Sequence, residues 1–172
     1  MADPLSSRGR DVVSVGRRVL EAEGPDALTM RRVADELGIR APSLYKHLPD
    51  KSALETAIIA DGFEEAAAAF EAAVDGEDDA LTAFVAAYRA FASAHPHVYR
   101  LMTEGPLPRE RLPAGLEARA AAPLASAMGS APRARAAWAF LHGMTILELD
   151  GRFPSDGHTE QAWAEGLAAF RA

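Results

Sequence analysis

Helical spacing of the apolar residues is the feature of this sequence that most constrains its fold. Apolar residues recur at intervals of three and four in almost every segment, and this interval places them on one face of an α-helix. The first segment shows the pattern at Val12, Val15, Gly16, Val19 and Leu20. No stretch alternates apolar and polar residues with the β-branched enrichment of a strand. The sequence therefore predicts an all-α protein.

Glycine, proline and capping residues divide this pattern into separate helices. Gly24 ends the first helix, Thr29 is a suitable cap for the second, and Gly38 lies where a left-handed C-terminal residue is expected. Asp50 is a suitable cap for a long fourth helix, and the proline-containing stretch 105–115 indicates a loop. The predicted helices span about residues 7–23, 30–37, 42–48, 50–74, 81–91, 96–102, 116–128, 133–150 and 163–170.

The long fourth helix carries two apolar faces that point in different directions. Leu54 and Ile58 lie on one face, and Phe63 and Phe70 lie on the other. A helix whose apolar side rotates midway can pack first on one body and then on another. We therefore predict two domains joined by a connecting helix. The two domains and the connecting helix span residues 1–48, residues 49–172 and about residues 50–74.

The net charge of −7 is unevenly distributed along the chain. Residues 1–60 contain nine basic and nine acidic residues, so the whole negative excess lies in residues 61–172. A neutral N-terminal third with clustered Arg can present a basic face, whereas the acidic remainder repels phosphate. If the protein binds DNA, we expect it to do so through its N-terminal part.

The composition excludes several classes of protein and site. Cysteine is absent, which excludes disulfides, thiolate zinc sites and thiol nucleophiles. No apolar run reaches the roughly 18 residues of a membrane span, and residues 1–10 lack the apolar core of a signal peptide. We therefore expect a cytoplasmic protein with no membrane partner.

Two short helices joined by a glycine turn, with a third helix before them, predict a helix-turn-helix near the N-terminus. The glycine turn, the start of the third helix at residues 42–45, His47 and Lys51 fall in one register. In that register the stretch 28–51 resembles the DNA-binding motif of the TetR family, and the resemblance is specific over roughly residues 10–60. It implies an N-terminal three-helix domain that binds double-stranded operator DNA.

Eight residues of this region are candidates for contact with DNA. The first residues of a recognition helix meet base edges in the major groove, where Arg pairs with guanine and apolar groups touch the thymine methyl. Taken singly, each candidate also fits an ordinary solvated surface. The resemblance implies base contacts by Arg40, Ala41 and Ser43 and phosphate contacts by Tyr45, His47 and Lys51. The full set is Arg31, Arg40, Ala41, Ser43, Tyr45, Lys46, His47 and Lys51.

The eighth predicted helix differs from the others because it is apolar all round. Residues 136–147 carry no formal charge, and a helix of this kind must be covered on every side. In so small a domain we expect a partner subunit as the cover. The resemblance likewise implies a homodimer whose last two helices form a four-helix interface. The predicted interface residues are Phe140, Leu147, Trp163, Leu167 and Phe170.

The segment 138–143 resembles the Trp…His-Gly signature of one group of TetR C-terminal domains, which implies a helical domain for ligand binding and dimerisation. His142 is either a hydrogen-bonding group for a ligand or a core or interface histidine. Glu148 is either a pocket acid or an exposed carboxylate in the last helical turn. The pocket candidates, several of which core packing explains equally well, are Tyr88, Phe91, Met102, Trp138, His142 and Glu148. Their scarcity of charge predicts a small, largely apolar ligand.

No constellation of residues indicates catalysis or metal binding. His95 and His97 are two residues apart, and on a helix such residues do not face the same way. The acidic residues 77–79 match the positive dipole end of the helix that follows them. Phosphate-binding glycine loops, nucleophile elbows and His/Glu metal spacings are missing. We expect neither an enzyme nor a cofactor or metal.

These features predict a ligand-responsive transcription regulator of the TetR type. The resemblance implies a repressor that a small molecule releases from its operator. The alternative is a helical, dimeric ligand-binding or scaffold protein that no longer binds DNA. Intact Tyr45, His47 and Lys51 favour the regulator.

Overall fold

The computed structural model describes residues 6–171 and is helical over that range. It contains nine α-helices and a short 3-10 turn, and none of the described residues forms a strand. The predicted all-α fold is confirmed. No helix in this range combines the length and the apolar character needed to cross a membrane. The helices are α1 (Ser7–Glu23), α2 (Met30–Glu36), α3 (Ala41–Leu44), α4 (Lys51–Val74), α5 (Ala80–Ala94), α6 (Pro96–Thr103), α7 (Leu116–Met128), α8 (Ala131–Leu149) and α9 (Thr159–Ala169), with the 3-10 turn at Arg109–Arg111.

Side-chain caps fix the starts of the predicted helices. The Thr29 hydroxyl accepts a hydrogen bond from the backbone N–H of Arg32 at 3.1 Å, and the Asp50 carboxylate accepts one from that of Ala53 at 2.7 Å. Each cap satisfies a backbone N–H that has no partner inside the helix. Gly38 has a φ of 64°, in the left-handed region that glycine adopts at low cost. The predictions for these three residues are confirmed.

Helix α3 is shorter than the sequence predicts. Regular helix covers only Ala41–Leu44, with Pro42 in its second position, whereas we expected Pro42 first and a helix to residue 48. The chain continues as a turn in which the N–H of Leu48 donates to the Leu44 carbonyl at 3.0 Å. Pro49 disfavours helical geometry at the residue before it, so the helix cannot continue beyond this turn.

The chain folds into two compact units that do not follow a single break in the sequence. The first unit comprises Ala94–Glu117 and the described part of Met1–Ala66. The second comprises Ala67–Ser93 and the described part of Ala118–Ala172. Helix α4 therefore runs through both units, and α6 with the loop after it belongs to the unit of the helix-turn-helix. The functional division after residue 48 stays a prediction.

Close packing of α1 on α4 forms the core of the first unit. Leu54 and Ile58 of α4 are completely buried. Their Cδ1 atoms would lie 3.0 and 3.3 Å from a Cβ atom placed on Gly16 of α1. The absence of a side chain at Gly16 thus lets α4 approach α1 closely. This placement matches the face of α4 that we expected to pack on the DNA-binding helices.

Polar contacts from α1 also reach α4 and α6. Arg17 forms ion pairs with Asp61 and Glu65 of α4. Glu21 accepts a hydrogen bond at 2.7 Å from the backbone N–H of Val98, in the first turn of α6. Burial lowers the pKa of the Arg17 guanidinium, but its bonds to Glu65 and Asp61 outweigh burial and raise that pKa above the usual value. Arg17 therefore stays charged and holds the two helices together.

An aromatic cluster forms the core of the second unit. The ring of Phe70, near the end of α4, lies 4.8 Å from that of Phe84, 5.9 Å from Tyr88 and 6.2 Å from Phe91. All four side chains are buried. The second apolar face of α4 thus packs on α5 at Phe70, as its sequence pattern predicts. Phe63, on the same predicted face, is half-buried and lies in the part of α4 that belongs to the first unit.

Helices α8 and α9 pack through one phenylalanine and one glycine. The Phe140 ring lies so close to Gly166 that a Cβ atom there would collide with Phe140 Cζ. The same ring contacts Trp163 and Phe170, with centroids 5.7 and 5.8 Å away. Phe140 therefore packs mainly inside its own subunit.

Candidate nucleic-acid interface

Buried leucines fix the recognition segment against the rest of the helix-turn-helix. Leu44 of α3 is completely buried, and Leu48 in the following turn is 4% exposed. Val33 of α2 is also completely buried, so the two short helices share one apolar core. The side chains between the leucines must then face outward, because a helical turn cannot bury both sides of so short a segment.

Six of the eight DNA-contact candidates are exposed, and Ala41 and His47 are half-buried. Tyr45 stands out because it keeps 51% of its surface exposed, which is high for an aromatic side chain. The Nδ1 atom of His47 lies 3.4 Å from the Ser6 hydroxyl, so the histidine also contacts the start of α1. The exposed residues are Arg31, Arg40, Ser43, Tyr45, Lys46 and Lys51.

The charges on this surface are largely uncompensated. Arg31, Arg40 and Lys46 form no ion pair with any other residue in the range 6–171. Lys51 lies 3.5 Å from Glu55, an exposed pair of the i,i+4 type, and such pairs contribute only about 0.3–0.5 kcal/mol. A phosphate or a base can therefore replace these contacts at little cost.

Arg32 shows the opposite arrangement and was not singled out by the sequence. It donates to Glu23 of α1 at 2.7 Å and to Glu36 of α2 at 2.8 Å. The hydrogen bond from Arg32 lowers the pKa of the Glu23 carboxyl, which keeps the pair charged. Only Glu36, four residues after Arg32, was a signal available in the sequence. Of the two adjacent arginines, Arg32 thus joins α1 to α2 and Arg31 faces outward.

The six predicted pocket residues do not form one group. Met102 belongs to the first unit, where its Sδ atom lies over Gly62 of α4. The other five belong to the second unit. Of these, Tyr88 and Phe91 are part of the buried aromatic cluster described above. A surface groove of about 630 Å³ in this unit is lined by none of the six predicted residues. Its lining is Ala68, Glu71, Ala72, Val74, Asp75, Gly76 and Pro123.

The remaining three pocket candidates lie on α8. Trp138 is 46% exposed and stacks on His142, with ring centroids 5.8 Å apart and an interplanar angle of 24°. Glu148 accepts hydrogen bonds from Arg89 of α5, the closer at 2.7 Å. Of the two interpretations of Glu148, a partly exposed carboxylate with a structural partner fits this geometry better than a pocket acid. The Trp138 side chain lies on the surface and does not line a cavity.

Arg89 is the centre of the polar contacts in the second unit. It also donates to Glu160 of α9 at 2.6 Å, and its guanidinium lies 4.6 Å from the centre of the Trp163 ring. The hydrogen bonds that Arg89 donates to Glu160 and Glu148 raise its pKa despite the opposing effect of burial. The role of Arg89 was not predictable from the sequence, because its partners lie 59 and 71 positions away.

The predicted dimer-interface residues differ in exposure. Leu147 is 40% exposed, and Phe140 and Phe170 are half-buried. Trp163 and Leu167 are 2% and 8% exposed within a single subunit and so offer little surface to a partner. Their assignment to the dimer interface stays a prediction. The Trp163 ring is covered by Phe140 of α8 and by the guanidinium of Arg89. Two buried polar atoms in this region have no hydrogen-bond partner among the described residues, Thr145 Oγ1 and Trp163 Nε1.

Comparisons with known proteins agree with the fold and with the position of the motif. A family model described as bacterial regulatory proteins, tetR family, matches residues 12–58. A model described as tetracyclin repressor-like, C-terminal domain, matches residues 81–170. An HTH-type transcriptional regulator of Saccharopolyspora erythraea is 30% identical over 172 residues, which cover 98% of this chain and 72% of that relative.

Solved structures share the same fold. A protein of unknown function from Rhodococcus sp. RHA1 is 26% identical with a TM-score of 0.75, covering 96% of this chain and 95% of the other. The multidrug binding protein EbrR, solved in complex with imidazole, is 24% identical with a TM-score of 0.67, covering 98% and 96%. The two family models and the Saccharopolyspora erythraea relative confirm the resemblance to the TetR family. The chain belongs to the TetR family and is a transcriptional regulator with an N-terminal helix-turn-helix DNA-binding domain.

Proposed function

We infer that this regulator is a homodimeric repressor that leaves its operator when a small, largely apolar ligand binds. One observation carries the DNA-binding half of the proposal. Exposed basic side chains surround α3 without ion-pair partners in the described range, while the leucines of the same segment are buried. A folded protein leaves several cations of one small surface unpaired most readily where an anionic partner will bind.

The eight DNA-contact candidates divide by the chemistry they offer to DNA. Arg40, Ala41 and Ser43 lie at the start of α3, the end of a recognition helix that reaches base edges. Lys46 and Arg31 flank them. Tyr45, His47 and Lys51 are assigned to phosphate contacts, which position the protein without reading sequence. These assignments follow the TetR motif and the exposure of the side chains.

The surface of α8 supports dimerisation. Trp138 and Leu147 are two of the three large apolar side chains most exposed in the described chain, and the half-buried Phe140 lies between them in sequence. A monomer gains nothing from apolar surface of this kind, whereas a second copy would bury it at roughly 25 cal/mol per Å². We assign α8, together with Phe170, to the interface with an identical subunit.

The interior of the second unit supports an apolar ligand with a hydrogen-bonding group. Its buried side chains are aromatic and aliphatic, apart from the unpartnered Thr145 hydroxyl and Trp163 N–H. An unsatisfied buried polar group costs about 1–3 kcal/mol, and a ligand that accepts a hydrogen bond would recover that cost. EbrR, which has this fold, is a multidrug binding protein. We propose a similar role for the second unit here.

Helix α4 is the element that would transmit binding. It is continuous from Lys51 to Val74 and contributes Leu54 and Ile58 to the first core and Phe70 to the second. A ligand can change the position of the recognition helix only if it prefers one placement of such a connector. Tight binding without preference would change nothing.

Two substitutions test the DNA-binding assignment. Arg40→Ala should cost about 1–3 kcal/mol at one base pair per half-site, because a bidentate base contact is lost. Lys51→Ala should weaken binding to every sequence alike and reduce the salt dependence. Affinities for a selected genomic fragment and for mixed-sequence DNA distinguish the two effects. If Arg40→Ala weakens both DNAs equally, Arg40 does not read a base.

The coupling between ligand and operator gives a second test. A compound that raises the melting temperature of the protein should bind the operator complex about 5–150-fold more weakly than the free protein, the usual range of allosteric coupling. By linkage, the same compound must weaken operator binding by an equal factor. Calorimetric titration of the compound into the protein, with and without operator, measures this factor. Equal affinity in both titrations for every such compound would contradict release by a ligand.

A further inference from the structure

One arginine from outside the helix-turn-helix, Arg111, lies beside the proposed DNA surface. Arg111 is in the 3-10 turn Arg109–Arg111, within the loop that joins α6 to α7. This loop belongs to the same compact unit as α1 to α3. The Nη1 atom of Arg111 donates a hydrogen bond at 2.8 Å to the Ser52 hydroxyl, in the first turn of α4.

The charge of Arg111 has no carboxylate partner in the described range 6–171. A guanidinium offers five N–H donors, and the Ser52 hydroxyl accepts from only one nitrogen. Arg111 is exposed, so its remaining donors face solvent. Arg109, two residues earlier in the same turn, instead bonds both carboxylate oxygens of Glu117 at 2.8 Å. The loop thus contains one neutralised arginine and one that is available to an anion.

The position of Arg111 relative to Lys51 indicates that this anion is a DNA phosphate. Ser52 directly follows Lys51, whose ammonium we assign to a DNA phosphate, so Arg111 adds a second positive charge at the same end of α4. Phosphates along one strand of B-DNA are closely spaced, with about one charge per 3.4 Å of helix axis. A guanidinium beside a phosphate-bound lysine therefore meets either the same phosphate or its neighbour. Arg is well suited to this contact because its planar fork matches phosphate oxygens.

We propose that Arg111 binds a phosphate of the DNA strand contacted by Lys51, so that the DNA-binding surface extends from the helix-turn-helix into the α6–α7 loop. This inference rests on the proposed position of Lys51 at the DNA backbone. The contact contributes affinity and salt dependence but no sequence preference, because phosphate is the same at every base pair. A purely structural role, in which Arg111 only ties the loop to α4, is the competing explanation.

The test compares the salt dependence of DNA binding among three variants, with a mixed-sequence duplex as the probe. Arg111→Gln removes the charge and should reduce the slope of log affinity against log salt by about 0.9 for each bound subunit. Arg109→Gln is the matched control and should leave the slope unchanged, because Glu117 already neutralises that charge. Ser52→Ala removes the tie to α4 but no charge, and it should also leave the slope unchanged.

Each outcome decides between the explanations. If Arg111→Gln has the same slope as the unmodified protein, the inference is wrong. Equal losses of affinity in Arg111→Gln and Ser52→Ala, with no change in slope, would show that Arg111 only ties the loop to α4. Lys51→Ala, measured alongside, separates this failure from a failure of the proposed function. If Lys51→Ala reduces the slope and Arg111→Gln does not, the proposed DNA surface stands and Arg111 is not part of it. A protein that binds no DNA overturns both proposals.

Discussion

Leu147→Glu is expected to convert the dimer into monomers and to weaken operator binding by about 10²–10⁴-fold, the usual gain from linking two binding modules. Leu147 is 40% exposed on α8, at the surface that we assign to the partner subunit. A carboxylate at this position would be buried in the dimer without a partner, and an unpaired buried charge is strongly unfavourable. Each monomer would retain one recognition helix and would therefore bind only one half-site.

Light scattering and the mobility of the operator complex measure the two effects. Ala90→Glu is the control, because Ala90 is exposed on α5 and the substitution adds the same charge away from α8. It should remain dimeric and bind the operator normally. A dimeric Leu147→Glu protein with unchanged affinity would show that α8 does not form the interface.

Gly62→Val is expected to destabilise the fold by about 3 kcal/mol, at the upper end of the usual cost of overpacking a core. A Cβ atom on Gly62 would lie 2.8 Å from Val98 Cγ1 and 2.6 Å from Met102 Sδ. The methionine can move because its side chain is flexible. Val98 is completely buried and β-branched, so it has little freedom to move. The substitution must therefore push α6 away from α4.

Thermal unfolding measures this effect, because each kcal/mol of lost stability lowers the melting temperature of a chain of this size by about 2–4 °C. Ala69→Val is the matched control, since Ala69 is an exposed position of the same helix and loses only helix propensity. The control should melt within about 2 °C of the unmodified protein. Equal melting temperatures for Gly62→Val and Ala69→Val would contradict the close contact between α4 and α6.

Local signals in the sequence predicted most of the helices. The caps at Thr29 and Asp50 and the left-handed Gly38 act within a few residues of their own position, so the chain nearby contains all the information they need. The exposure of six of the eight DNA-contact candidates was also predictable, because the helix-turn-helix register determines which side chains point outward from buried Leu44 and Leu48. α3 was the exception, because the spacing predicts a helix to residue 48 whereas the regular helix ends at Leu44.

Contacts between distant parts of the chain were not predictable from spacing. Trp163 was expected at the dimer interface, yet its ring packs on Phe140 and Arg89 within the same subunit. Arg111 received no role from the sequence, because its partner Ser52 is 59 residues away. The sequence shows that an apolar or basic side chain requires a contact. Only the packing of the helices determines which residue makes that contact.

Selection of bound fragments from genomic DNA tests whether the protein is a dimeric operator-binding regulator. We expect enrichment of a short site with twofold symmetry, with half-sites about 10 base pairs apart or a multiple of that spacing, because two recognition helices related by a twofold axis contact one face of the duplex. Arg40→Ala should reduce the enrichment of that site while leaving weak binding to other DNA in place. Recovery of fragments without any shared site, in equal yield from the unmodified protein and from Arg40→Ala, would contradict this function.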